Sequence, residues 1–299
     1  MKLLIIGGSG FVSGTLARTA VANGHEVLTI TRGQKPTPAG VHTLVADRNN
    51  REVFADVVGK LKLHWDMVVD CIGYVPEDAM QDINVFRDRA SHLVFISTDF
   101  VFDPAFRKFP QPEESEHFAQ TGYGGNKRLC ELELERGDLH DMAYTVFRPC
   151  HIYGPGSELG CLPNNARDPE LLHKIMTGVA LELVGGGHFL QQPIFAEDLA
   201  KLVLSAFGNP DSYGRIFNSA GPDIIESVQY YRIIGQVLGV DIKVKEIPVD
   251  ETLAAKPELA PFLTHRIYDL SSIKRAGLET PSTSIESGLK QHTNHLLNI

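Results

Sequence analysis

The sequence predicts an α/β fold, a doubly wound parallel sheet of the Rossmann type with a smaller C-terminal substrate lobe. Three observations point to it. A continuous apolar run over residues 3–6 opens the chain and is broken at once by Gly7, Gly8 and Gly10. Short apolar runs then alternate with longer mixed segments through the first half, the rhythm of βαβ units. After Pro149 that rhythm changes, and Gly, Pro and Asn gather over residues 154–167, which read as a loop.

Taken in order, residues 3–6 read as a strand buried on both faces, as a central parallel strand is. A helix over 15–23 ends at Gly24, a residue suited to the left-handed cap. Strands are expected over 27–31 and 44–46, and a helix over 51–61. The apolar runs 67–71 and 93–97 are further strands, 125–135 is helical and 144–148 returns to strand. Right-handed crossovers wind such units into one sheet. Later helices are expected over 170–178, 196–207, 226–238 and 284–297, with a strand over 216–219. The dinucleotide-binding domain would span 1–154 and resume over about 190–221, with 155–189 and 222–299 as the substrate lobe.

Composition narrows the function classes. With 299 residues, 43% apolar and 22% charged, the chain reads as a globular protein able to bury a full core. Lys and Arg number 28 against 37 Asp and Glu, a net charge of −9, which argues against nucleic acid as a partner. Cys71, Cys130, Cys150 and Cys161 are far apart and read as free thiols of a reducing compartment. No apolar run approaches the ~20 residues that span a bilayer, and the opening run is too short for a secretion signal. A cytoplasmic protein without membrane contact is expected. None of the 12 histidines stands in metal-ligand spacing, so no metal is expected, and His292 and His295 read as surface residues.

The glycine loop carries the first chemistry. Residues 7–14, Gly-Gly-Ser-Gly-Phe-Val-Ser-Gly, lie between the first strand and first helix, where main-chain N–H groups and a helix N-terminus receive a pyrophosphate. Gly7, Gly10, Phe11, Val12 and Ser13 are therefore the expected cofactor contacts. Ser13 stands where a third glycine is usual and is small enough to keep helix and sheet close. The end of the second strand separates the two nicotinamide cofactors. NAD is usually held there by a carboxylate on the ribose 2′-OH. Here the strand ends Thr29-Ile30-Thr31-Arg32-Gly33. Arg32, with Lys35 nearby in sequence, suits a 2′-phosphate, so NADP is favoured over NAD. Asp47-Arg48, after the third strand, falls where an adenine contact would lie.

Tyr123 and Lys127 stand four residues apart and so share one helix face. A cation beside a phenol stabilises phenolate and lowers its pKa, which makes Tyr123 a general acid/base. The pair follows a strand ending Ile96-Ser97-Thr98-Asp99, whose hydroxyl can meet the tyrosine.

Together these motifs resemble the extended short-chain dehydrogenase/reductases, the NAD(P)-dependent epimerase/dehydratase group. Arg148-Pro149, Ile152-Tyr153-Gly154-Pro155 and the helix start at Asp198 extend the resemblance over nearly the whole chain. Residues 97–103 look most like the dTDP-4-dehydrorhamnose reductase and dTDP-glucose dehydratase branches. Arg32-Gly33 is more like the branch containing chloroplast stem-loop-binding proteins. The resemblance implies that Thr98 bonds a substrate oxygen, that Tyr123 moves the proton, and that Lys127 holds the nicotinamide ribose. It also matches Asp99 to an acid some dehydratases use, with a capping carboxylate as the alternative. Asn84 is similar to the family's active-site asparagine, but too few residues separate it from the next strand, so it reads as structural.

The sequence departs from the family at the arginines that clamp a nucleotide diphosphate. Gln191 occupies one such position, and Arg266 is the nearest candidate for the second. The expected substrate is a small-molecule carbohydrate, with or without a nucleotide. Epimerase/dehydratase chemistry through a keto intermediate ranks first. An NADPH-dependent keto-sugar reductase comes next, and a non-catalytic cofactor-binding or RNA-associated protein is the remaining alternative. A homodimer is expected by resemblance. The Pro-rich, acidic stretch 103–122 reads as a lid or substrate wall, and Gly185–Gly187 as a loop.

Overall fold

The computed structural model describes residues 1–163 and 167–298; residues 164–166 of the expected 154–167 loop lie outside them. Six strands, β1 (Lys2–Ile6), β2 (Glu26–Thr31), β3 (His42–Val45), β4 (Met67–Asp70), β5 (His92–Ile96) and β6 (Ala143–Pro149), join the edge strand Arg215–Ser219 in one sheet. Its order is the edge strand, β6, β5, β4, β1, β2, β3, and every pairing is parallel. The order reverses between β1 and β4, which opens a crevice at the carboxyl ends of the strands.

The apolar runs are strands because both faces are covered. On one face α1 (Phe11–Ala22) supplies Leu16, Ala17 and Ala20 to a cluster with Ile5, Val69 and Val94. On the other, α2 (Arg51–Gly59), α3 (Pro76–Phe86) and α4 (Gly122–Arg136) bring Phe54, Val58, Ile83, Phe86 and Leu134 against Leu4, Ile6 and Val68. Two differences from the sequence reading matter. Helix α1 starts at Phe11 and not at residue 15, so the glycine loop runs straight into it. Helix α3 has no counterpart in that reading; Pro76 opens it and the Asp78 carboxylate accepts the Tyr74 and Val75 amides.

A third cluster gathers Tyr153, Leu159, Leu171, Tyr230, Tyr231, Ile234 and Leu289 from α5 (Leu171–Met176), α7 (Ser227–Leu238), their connections and the helix Ile285–Leu297, whereas α6 (Ala196–Ser205) packs Leu199, Leu202 and Val203 into the first cluster beside α1. Helix α7 ends at Gly239 in the left-handed conformation, φ 71°, as the sequence indicates. Asp198 at the start of α6 accepts the Ser282 and Thr283 amides, pinning the C-terminal stretch beside the sheet. His292 is fully buried, its Nε2 2.7 Å from the Ser157 carbonyl, which corrects the surface reading; His295 is exposed.

His92 opens β5, is 1% exposed, and has Nε2 2.8 Å from Thr145 Oγ1. Burial pushes the imidazole down to about 4. The unfolded chain takes up that proton near 6.5 and the folded chain does not, so stability is lost as pH falls from 6.5 through about 4. The gap is worth about 3 kcal/mol. Denaturant titrations between pH 7 and pH 4 should therefore show a shallower loss for His92→Gln than for the parent. An unchanged slope would contradict this.

Candidate active site

The cofactor cradle is built from the strand β1 outward. Gly8 has φ +118°, and a Cβ there would sit 2.4 Å from the Thr29 side chain, so only glycine fits. The turn lets Gly10 cap α1, while the Gly10 amide donates to Ser13 Oγ at 3.2 Å. Ser13 is buried, as its stand-in for glycine requires, and Phe11 and Val12 are half-buried at the first turn. Amides at a helix N-terminus favour an anion there. The glycine turn and open helix start thus fit a dinucleotide pyrophosphate.

From Val12 a cavity of about 520 Å³ runs along the carboxyl ends of the strands, with Thr98, Tyr123, Lys127, His151 and Arg167 among its walls. Helix α4 reaches it because Gly124 has no side chain: a Cβ there would lie 2.0 Å from the Phe100 carbonyl oxygen. That close approach sets Tyr123 beside Thr98 in the wall of the same cavity. The Tyr123 ring packs on Phe100 and Tyr74, with centroids 6.2 and 6.5 Å away. The residue is 51% exposed, open to the cavity it lines. Lys127 is 2% exposed, and its Nζ donates to the carbonyls of Gly73 at 2.7 Å and Ile96 at 2.5 Å.

The electrostatics differ from expectation. Burial raises the Tyr123 phenol above its ordinary value, with the Thr98 hydroxyl working against it. Burial also pushes the Lys127 ammonium down. The expected lowering of Tyr123 by Lys127 is not seen, because burial of the phenol dominates. Cys71, Cys150 and Cys161 also line the cavity, and burial raises all three thiols, which leaves them protonated at neutral pH.

Asp99 follows Thr98 and borders the same cavity, with its carboxylate paired inside the protein. It is 1% exposed and accepts from Arg266 Nη1, from Tyr268 Oη at 2.5 Å and from Arg107 Nη2 at 3.2 Å. Burial pushes the carboxyl up, but the two guanidinium groups outweigh it and hold Asp99 below the usual carboxylate range. This fits neither a proton-donating acid nor a free cap. Arg266 is correspondingly a buried partner of Asp99. Gln191 is also buried, its amide 3.5 Å from the Thr264 carbonyl, and neither it nor Arg266 is among the cavity's walls. Both departures arise because residues 264–268 fold back onto the ends of β5 and residue 191.

Arg32 and Asp47 are exposed beyond β2 and β3. Arg48, expected beside Asp47 at the adenine, is instead buried against Asp70, Asp78 and Asp82 at 2.7–3.5 Å. Asn84 is exposed on α3, away from the walls of the cavity. Tyr74, His151 and Arg167 are cavity residues that the sequence reading misses. His151 stands two residues ahead of Tyr153-Gly154-Pro155, a motif that could have drawn attention to it.

A seven-stranded parallel sheet with a glycine loop at the head of its first helix defines a Rossmann-type α/β protein. The profile of the NAD dependent epimerase/dehydratase family matches residues 3–220, and the chain belongs to that family. Its curated relatives are distant. The chloroplast stem-loop binding protein of 41 kDa b of Arabidopsis thaliana is 25% identical over 239 residues, 74% of this chain. The chain spans 58% of that relative's length. The GDP-L-fucose synthase of Azorhizobium caulinodans is 23% identical, with 80% of this chain and 81% of the relative aligned. The UDP-glucose 4-epimerase of Thermotoga maritima, solved with UDP-glucose, shares the fold with a TM-score of 0.79, 18% identity, and 100% and 99% coverage of the two chains. No helix among the described residues is long and apolar enough to cross a membrane.

Proposed function

We propose that the protein is an NADP-favouring enzyme that moves hydride and proton at a carbinol or keto carbon of a small carbohydrate. The observation that carries the reading is Thr98, Tyr123 and Lys127 in one cavity with Val12 of the glycine-loop helix. When bound, the nicotinamide supplies the hydride chemistry. Thr98 orients the substrate oxygen and Tyr123 Oη takes or returns its proton. Lys127, held between the Gly73 and Ile96 carbonyls, fixes the floor of the site and meets the ribose.

The raised Tyr123 phenol favours the acid role, proton donation to a ketone, at neutral pH. The ion-paired Asp99 argues against its serving as the acid of an elimination. Epimerisation and ketone reduction need no such acid, so both rank ahead of dehydration. With Gln191 and Arg266 enclosed in protein, a substrate lacking a nucleotide diphosphate fits the cavity better. A turnover assay separates the outcomes. Net NADPH consumption with a keto-sugar marks a reductase, and isomerisation without net redox change marks an epimerase.

The cofactor preference rests on Arg32, exposed after β2 where no carboxylate stands. Arg32→Glu should weaken NADP binding at least about 10-fold while changing NAD little. Equal effects on the two would contradict it. The name of the Arabidopsis relative favours one second reading, RNA association. A mobility-shift assay showing tight, salt-sensitive binding would support that reading against the enzyme.

A further inference from the structure

We infer that Asp70 is a positioning residue for Lys127: it fixes the Gly73 carbonyl that holds the ammonium, and its carboxylate charge favours that buried cation. The inference rests on the reading that Lys127 meets the cofactor ribose. Lys127 uses two of its three N–H donors on the Gly73 and Ile96 carbonyls, which leaves one for a ligand in the cavity. Its Nζ also lies over the rings of Phe95, 4.1 Å from the centroid, and Tyr74, at 5.8 Å. These partners are all uncharged, and a buried ammonium held by uncharged partners is costly to keep ionised. Of the groups that favour the charged form, Asp70 acts most strongly, ahead of Cys130, Glu131 and Cys71. Glu131 is taken up by Arg148 and Arg128, and burial raises both thiols. Asp70 is the anion that remains.

The turn after β4 is built on that carboxylate. Asp70 is fully buried, its Oδ1 accepts the Ile72 amide at 2.8 Å, and its Oδ2 accepts Arg48 Nη1 at 2.7 Å. A Cβ on Gly73 would collide with Asp70 Oδ2 and the Phe95 ring, so the turn is packed directly on the carboxylate. Arg48 Nη2 reaches on to the Asp78 carbonyl at 2.9 Å and Asp82 Oδ1 at 3.1 Å, which ties helix α3 to the same turn. Tyr74, the next residue, carries the ring that packs on Tyr123.

The geometry also says where the charge sits. Asp70 accepts two short bonds, whereas Asp82 accepts one from Arg48 and buries Oδ2 without a partner. Burial pushes both carboxyls up. Arg48 holds Asp70 below the usual range, while burial and then the Asp70 charge carry Asp82 well above it. Asp70 is the anion and Asp82 the neutral acid. Asp78 faces the Tyr74 amide and Arg51.

The test is a titration of the full chain with NADPH, followed by cofactor fluorescence, from about pH 6 to about pH 10. It compares the parent with Lys127→Met, Asp70→Asn, the double variant and Asp82→Asn. Lys127→Met should weaken NADPH at least about 10-fold. Asp70→Asn should weaken it at least about threefold at neutral pH, and its affinity should fall away at a lower pH than the parent's, because the ammonium gives up its proton sooner. In the Lys127→Met background the same change should cost less than about 1.5-fold. Asp82→Asn exchanges a neutral acid for a neutral amide and should follow the parental profile. Equal costs of Asp70→Asn in the two backgrounds would show a merely structural role and overturn the inference. So would a profile that moves in Asp82→Asn and stays in Asp70→Asn. Where Asp70→Asn does not fold, Arg48→Lys loosens the same carboxylate and carries the same comparison: coupling to Lys127→Met supports the inference, and additivity overturns it. Parental NADPH affinity in Lys127→Met removes the ribose reading and the inference together, whereas a weakened Lys127→Met without coupling overturns the inference alone.

Discussion

Tyr123→Phe is expected to cut turnover by about 10²–10⁴-fold while leaving cofactor affinity within about twofold of the parent. The change removes one oxygen from a ring that is otherwise held by Phe100 and Tyr74, so the packing of α4 survives. What is lost is the hydroxyl beside Thr98 that can carry the substrate's proton. A glycine-loop contact to the pyrophosphate does not depend on that oxygen. Steady-state kinetics and a cofactor titration on the same preparation check the two halves separately. Turnover that survives the change would remove Tyr123 from the chemistry.

Asp99→Ala is expected to be the most destabilising change near the site, by about 3–5 kcal/mol. Its carboxylate is the anion shared by Arg107 and Arg266, whose side chains are 2% and 1% exposed. Removing it leaves two buried guanidinium groups without that anion. Arg107→Met should cost less, because it deletes one of two cations and leaves the Asp99–Arg266 pair closed. The ordering follows from counting charges in the cluster. Denaturant unfolding of both variants measures it. A loss under about 1 kcal/mol for Asp99→Ala, or the reverse order, would show that the cluster is not holding the end of β5.

Much of the fold is legible along the chain, and what is not has a common cause. Strands β1, β4 and β5 announce themselves because a central parallel strand is apolar on both faces. The glycine loop is readable because tight turns demand a residue type. Tyr123 and Lys127 are readable because helical spacing alone places them together. Helix α3 hides because Gln81 and Asp82, polar in sequence, are buried against Arg48 and blur its apolar face. The fate of Asp99 is hidden too: Arg266 lies 167 positions away, and only the fold-back of residues 264–268 brings it to the carboxylate. His292 is a similar case, since its carbonyl partner belongs to Ser157. Local spacing reports what one element presents; burial of a charge depends on which distant segment arrives to meet it.

The most direct measurement is a crystal structure of the full chain grown with NADP. The proposed chemistry requires the nicotinamide ring to lie in the 520 Å³ cavity, its reactive carbon and a substrate-sized space within about 3–4 Å of Tyr123 Oη and Thr98 Oγ1. A dinucleotide seated on the glycine loop with its nicotinamide turned away from Tyr123, or no dinucleotide on the loop at all, would contradict it.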